Sequence, residues 1–128
     1  MLSPLAATAG SVPRFYGCAA FFLDQHTQKS VLRPHSIVVA CGDGNFALIR
    51  LRWKVWNGVN AVAQGTASQN DCTPYCAAGH FHAYPAAATL SRPRRCKNGV
   101  RVFTQLGWRF TGARPKGEAR TGSIRYPC

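Results

Sequence analysis

A chain of 128 residues holds one domain with a modest core and leaves no material for a second. Sixteen Lys and Arg oppose four acids, for a formal charge of +12, which argues against a carboxylate-built divalent-cation site and favours an anionic partner such as nucleic acid or an acidic envelope polymer. No stretch approaches the roughly 18 apolar residues of a membrane-spanning helix.

Residues 1–12 carry neither a basic leader nor a long apolar run, but Ala7-Thr8-Ala9 has the small-residue character of a signal-peptidase cleavage site. They are therefore read as a loosely ordered N-terminal segment, a signal-peptide remnant, ahead of a single domain at 13–128. Residues 15–22 are aromatic and apolar, with Cys18 among them, and predict a first strand. Residues 36–41 are β-branched and predict a second, and Gly42-Asp43-Gly44-Asn45 is a turn into the next.

The strongest periodicity lies at 46–56. Ala47, Ile49, Leu51, Trp53 and Val55 alternate with Leu48, Arg50, Arg52, Lys54 and Trp56, which predicts a half-buried strand with three basic residues and Trp56 on its outer face. Asn57-Gly58 then predicts a type I′ hairpin, with residues 59–67 returning antiparallel. Residues 80–84 alternate again, and Pro85 limits that strand to an edge or ends its regular pairing, with 86–90 continuing. Residues 92–99 read as a basic turn that launches a long strand at 100–111, with Val100, Val102, Thr104, Leu106, Trp108 and Phe110 on one side. Six to seven strands between Gly, Pro and Asn turns, without a helical period anywhere, predict an all-β antiparallel sandwich or small barrel.

Cys18, Cys41, Cys72, Cys76, Cys96 and Cys128 form an even set in a small chain and predict a disulfide-stabilised, exported protein. The Cys72-x3-Cys76 spacing is one residue longer than a thioredoxin-type redox pair. With His80 and His82 it offers four zinc-type side chains, yet they are crowded into one loop, where zinc fingers space their pairs by about twelve residues. No metal or other cofactor is therefore expected. His80 and His82 share one strand face, as two solvated imidazoles or an acid–base pair. For cleavage of RNA they would need an acid or base partner, and Glu118, the only glutamate, lies in a tail-like stretch with nothing in the sequence to bring it to a histidine. Asp43-Gly44-Asn45 resembles the opening of a calcium loop but lacks its remaining ligands. No phosphate cradle, Gly-x-Ser-x-Gly elbow or His-Glu-x-x-His helix is present.

The strings Ala40-Cys41-Gly42-Asp43-Gly44-Asn45, Leu51-Arg52-Trp53 with Trp56, and Asn70-Asp71-Cys72-Thr73-Pro74-Tyr75-Cys76-Ala77-Ala78-Gly79 resemble those of small exported proteins of Gram-positive bacteria, a family without an assigned activity. The resemblance runs from about Arg33 to Pro115. It implies an extracellular or envelope location and brings no catalytic residues. Cys18 and Cys128 flank the resembling region and are expected to clamp its two ends together, with Cys41 bonded to Cys72 or Cys76 and the other of these to Cys96. The leading expectation is a secreted binding module for an anionic partner, a cell-wall polymer or nucleic acid, reading through Arg50, Arg52, Lys54 and Trp56. A small hydrolase such as a nuclease using His80 or His82 is the alternative, and a toxin-like or inhibitory protein whose loop at 72–79 enters a partner is the second.

Overall fold

A computed structural model describes residues 12–22 and 29–128; most of the expected N-terminal segment, 1–11, lies outside the described residues. The chain is all-β and disulfide-stabilised, as its patterning predicts. Six antiparallel strands, β1 (Ile37–Val38), β2 (Phe46–Trp56), β3 (Ala61–Asn70), β4 (Phe81–Arg95), β5 (Arg101–Phe110) and β6 (Thr121–Arg125), follow one another as a meander in a single sheet. The sheet curls into a half-barrel, where the sequence left a sandwich or a closed barrel open.

The curl follows from where large and small side chains fall. The concave face of the central strands is lined by Ala61, Ala63 and Ala67 of β3 and Ala86 and Ala88 of β4, all buried. The flanking strands supply Leu48, Leu51 and Trp56 on one side and Leu106 and Phe110 on the other. The middle of a concave surface has the least room, so alanines there let the margins approach and the bulky residues meet over them. Each fully buried Leu contributes about 1.5 to 3 kcal/mol. Residues 12–15 and 31–35 bridge the margins. Arg14 pairs with Val102 of β5, Phe15 pairs with Val31, and the carbonyl of His35 accepts the Leu51 N–H of β2 at 2.9 Å. Phe15 packs edge-on against Tyr126, whose buried hydroxyl has no partner among the described residues and whose pKa is pushed up to about 12 by burial.

Several local expectations are corrected. Residues 15–22 are not a strand: Gly17 takes a left-handed φ of 63° and starts a 3-10 helix, Gly17–Phe22. The strand expected at 36–41 shortens to Ile37–Val38, because the N–H groups of Val39 and Ala40 both turn to the Phe46 carbonyl. Asn57-Gly58 is not a two-residue turn. Trp56 pairs with Ala61, and the Asn57 side chain instead accepts the N–H groups of Val59 and Asn60 within a longer loop. The basic segment from Arg92 to Arg95 is the end of β4, and only residues 96–100 turn, with Gly99 at a φ of 85°.

Pro85 lies inside β4, but β5 begins pairing only at Ala86, so the proline occupies a position with a ladder on one side. Pro93 does the same at the other end, beyond the last β3 pair at Leu90.

The disulfides are Cys18–Cys41, Cys72–Cys76 and Cys96–Cys128. None of the expected pairings occurs. Cys18 reaches the turn after β1, and Cys96 at the end of β4 meets the C-terminal residue that follows β6. Loop-closure entropy makes the bridge spanning 32 residues the stronger constraint than the one spanning 4. Replacing Cys96 and Cys128 by Ser is expected to cost about 4 kcal/mol in urea unfolding and replacing Cys72 and Cys76 about 2 kcal/mol, on the chain-entropy relation. Equal losses would contradict this ranking.

Candidate functional site

The polar and charged side chains gather at two places on opposite faces of the sheet. The first arises from a break in β2. Its pairing to β3 shifts between Ile49 and Arg52 and again between Trp53 and Val55. At the first shift Arg50 takes a left-handed φ of 54°, and the one extra residue reverses the facing of the strand until the second shift, again of one residue, restores it. Leu48, Leu51, Trp53 and Trp56 therefore face the concave side, while Arg50, Arg52, Lys54 and Val55 are exposed.

Trp56 is thus a core residue and not part of a basic face. It is 8% exposed, donates its Nε1–H to the Pro13 carbonyl at 2.8 Å and packs edge-on against Phe103. Strict alternation groups Trp56 with Arg50, Arg52 and Lys54; the two bulges take those three off the face that Trp56 shares with Leu48. Gly65 of β3 is what admits the first bulge: a Cβ there would stand 2.7 Å from the Ile49 carbonyl oxygen and 3.1 Å from that of Arg50.

Arg50 and Arg52 border a groove of about 540 Å³ on the outer face with His35, Gln64 and Thr66. Lys54 is exposed farther along the strand, outside the groove. The register extends this surface to residues that the strand patterns did not single out. Arg52 pairs with Gln64, Gln64 with Ala87 and Ala87 with Arg109, so the two arginines stand in one cross-strand row. Arg125 of β6 joins the same face, its Nε–H donated to Gln105 at 3.1 Å. Among these cations the face carries Gln64 and Ala87 in the arginine row and Val62, Thr89, Gly107 and Ser123 in the next, most of them small. Arg109 alternates with Trp108 and Phe110, a signal that the expected inward side of that strand already contained.

The second place is at the open end of the concave face. Asn70 and Asp71 organise the loop that Cys72–Cys76 closes. The Asn70 amide donates to Asn45 Oδ1 at 3.0 Å and to the Cys76 carbonyl at 2.8 Å, while its Oδ1 accepts the Cys72 N–H. A Cβ on Gly79 would collide with that amide oxygen, so the loop is wired through a glycine for space.

Asp71 Oδ1 accepts the N–H groups of Thr73 and His80, each at 3.0 Å, and Oδ2 contacts His82 Nε2 at 2.9 Å. The His80 N–H, the His82 imidazole and then the Thr73 N–H hold the carboxyl far below the usual carboxylate range. His82–Asp71 is the only ion pair among the described residues. Next to it lies a cleft of about 400 Å³ lined by Gln69, Asp71, His82, Tyr84, Lys116 and Glu118, among others.

The two expected histidines are divided. His82 faces this cleft, and His80, which precedes β4, does not line it. Glu118 does reach the histidine's neighbourhood, which nothing in the sequence indicated: a turn at 115–118, with Gly117 at a φ of 82°, presents it to Gln69, whose Nε2 donates to Glu118 Oε1 at 3.2 Å. Cys72 and Cys76 are bonded to each other and offer no thiolate to a zinc ion. Asp43 stays in its turn, accepting the Asn45 N–H at 3.0 Å.

No protein family, no curated protein and no solved structure matches this chain.

Two outcomes follow from these geometries. Gly65→Ala is expected to lower stability by roughly 1 to 3 kcal/mol in urea unfolding, since the added methyl meets two backbone oxygens as well as the Leu51 side chain; a neutral result would remove the bulge argument. Asp71 is more acidic folded than in the unfolded chain, where its value is about 3.9. Its stabilisation is present above that value and is lost as pH falls below it. The gap in melting temperature between wild type and Asp71→Asn should therefore be widest above about pH 4 to 5 and close on acidification; a gap constant down to pH 2 would contradict it.

Proposed function

We propose that this protein is a disulfide-stabilised extracellular binding module that holds an anionic polymer, a nucleic acid or an acidic cell-envelope polymer, across the outer face of its half-barrel. The observation that carries the reading is the row Arg52, Gln64, Ala87, Arg109, with Arg50 turned beside it by the bulge. Neighbouring strands lie about 4.8 Å apart, so Arg52 and Arg109 are separated by roughly 14 Å. That spacing suits repeated charges on a chain better than one small anion. Small residues between the arginines let a polymer backbone approach the sheet, and a positive φ at a non-glycine residue is a cost that persists where it aims a side chain.

A net charge of +12 adds long-range attraction. The three disulfides are compatible with an oxidising, extracellular setting, and among the described residues no helix is long and apolar enough to cross a membrane. The resemblance of the Cys41 and Cys72–Cys76 segments to exported Gram-positive proteins supports the same location.

Fluorescence anisotropy with a single-stranded oligonucleotide and with a teichoic acid tests the reading. Affinity for at least one should fall steeply between 50 and 200 mM salt, and Arg52→Ala with Arg109→Ala should reduce the salt slope by about 1.4, at roughly 0.7 per contact on a single strand. Unchanged affinity and slope in the double variant would refute this face as the binding surface.

A further inference from the structure

Beyond the polymer-binding face, we propose that the cleft at the open end of the concave face cleaves RNA by general acid–base catalysis, with Glu118 as base and His82 as acid. The proposal is independent of the outer face, since the two places lie on opposite sides of the sheet. Gln69 and His82 are directly paired across β3 and β4, and side chains so paired have Cβ atoms about 5 Å apart. Gln69 Nε2 binds Glu118 Oε1 at 3.2 Å, so Gln69 ties the carboxylate to the strand position that pairs with His82. Both line the same cleft of about 400 Å³, together with the ammonium of Lys116 and the phenol of Tyr84.

Asp71 acts through His82 as a positioning residue. Its carboxylate is kept ionised by two backbone N–H groups and the imidazole, so it only accepts, and Nε2 of His82 carries the proton between them. Nδ1 is then the nitrogen that exchanges a proton with a substrate. Asp71 is itself pinned by the loop that Cys72–Cys76 closes.

RNA is the substrate class that this set suits. Among the described residues no group of three or more His, Cys, Asp or Glu side chains is gathered to hold a metal ion and activate water on it. RNA brings its own nucleophile. The 2′-oxygen attacks phosphorus while its proton passes to Glu118, the bond from phosphorus to the 5′-oxygen breaks, and that oxygen takes the proton from His82 Nδ1. The products are a 2′,3′-cyclic phosphate and a free 5′-hydroxyl, and exchange with solvent returns both groups to their starting protonation. Lys116 faces the non-bridging oxygens, where negative charge accumulates.

The test uses the oxidised protein with a uridine–adenosine dinucleotide, too short to span both faces of the sheet, and its 2′-deoxy counterpart. Cleavage of the ribose form to the cyclic phosphate is expected, with the deoxy form intact. His82→Ala and Glu118→Gln, each shown to be folded by its melting curve, should lower kcat/KM by 10²- to 10⁴-fold. Asp71→Asn should lower kcat with KM preserved, whereas a merely structural role would leave kcat of the folded fraction unaltered. An inert wild-type protein, activity kept by either cleft variant, or cleavage of the deoxy dinucleotide would overturn the proposal.

Discussion

The bulge in β2 at Arg50, seated against Gly65, is the constraint on which the remaining architecture depends. A strand has only two faces, and inserting residues into one partner exchanges them for everything that follows. Here the exchange sends Leu51 and then, through a second shift, Trp56 to the concave side, and leaves Arg50, Arg52 and Lys54 on the surface. Trp56 in its new position is the anchor for the N-terminal segment, through its bond to the Pro13 carbonyl and its contact with Phe103. The contact of Gly65 with the Ile49 and Arg50 carbonyl oxygens leaves no room for any side chain, so the bulge is specified from both strands at once.

The two faces of the sheet consequently carry different chemistry. Outside, arginines are separated by Ala, Ser, Thr and Gly, which gives a charged but low-relief surface. Inside, alanines at the centre and large side chains at the margins give a dry core that ends at Tyr84, where the polar row of His82, Gln69, Asp71 and Glu118 begins. The end of the barrel interior is a place where a polar cluster can be partly shielded yet reached by solvent. The disulfide of the 72–79 loop holds the first wall of that cleft, and the turn at 115–118 supplies the second.

Much of the strand plan was legible because it rests on short-range signals. The strand at 46–56, its antiparallel return and the strand at 101–110 follow from alternation and from Asn and Gly at their ends. What alternation does not encode is a local insertion: the pattern Leu48, Arg50, Arg52, Lys54, Trp56 is regular as a string, and only the cost of burying Arg50 and exposing Trp56 breaks it in the folded chain. Similarly, β3 has few β-branched residues, and its alanines read as weak strand formers until the curl requires small side chains at its centre. The segment at 15–22 looks like a strand by composition, but beyond the Phe15–Val31 bridge it coils into a 3-10 helix, and of its phenylalanines only Phe15 is buried.

Composition, the even cysteine count and the period of two determined by themselves that this is a basic, disulfide-stabilised, all-β domain with Arg50, Arg52 and Lys54 exposed together. Those properties are local or additive, so they survive in the unfolded string. Which thiols bond, which way Trp56 points, and that Glu118 meets the Gln69–His82 pair were decided only by tertiary structure. Each depends on register between strands far apart in the chain, and register is set by the collective fit of core side chains and bulges, not by any one segment. The six cysteines permit fifteen pairings, and it is the tertiary fold, which brings the end of β4 to the residues after β6, that selects among them.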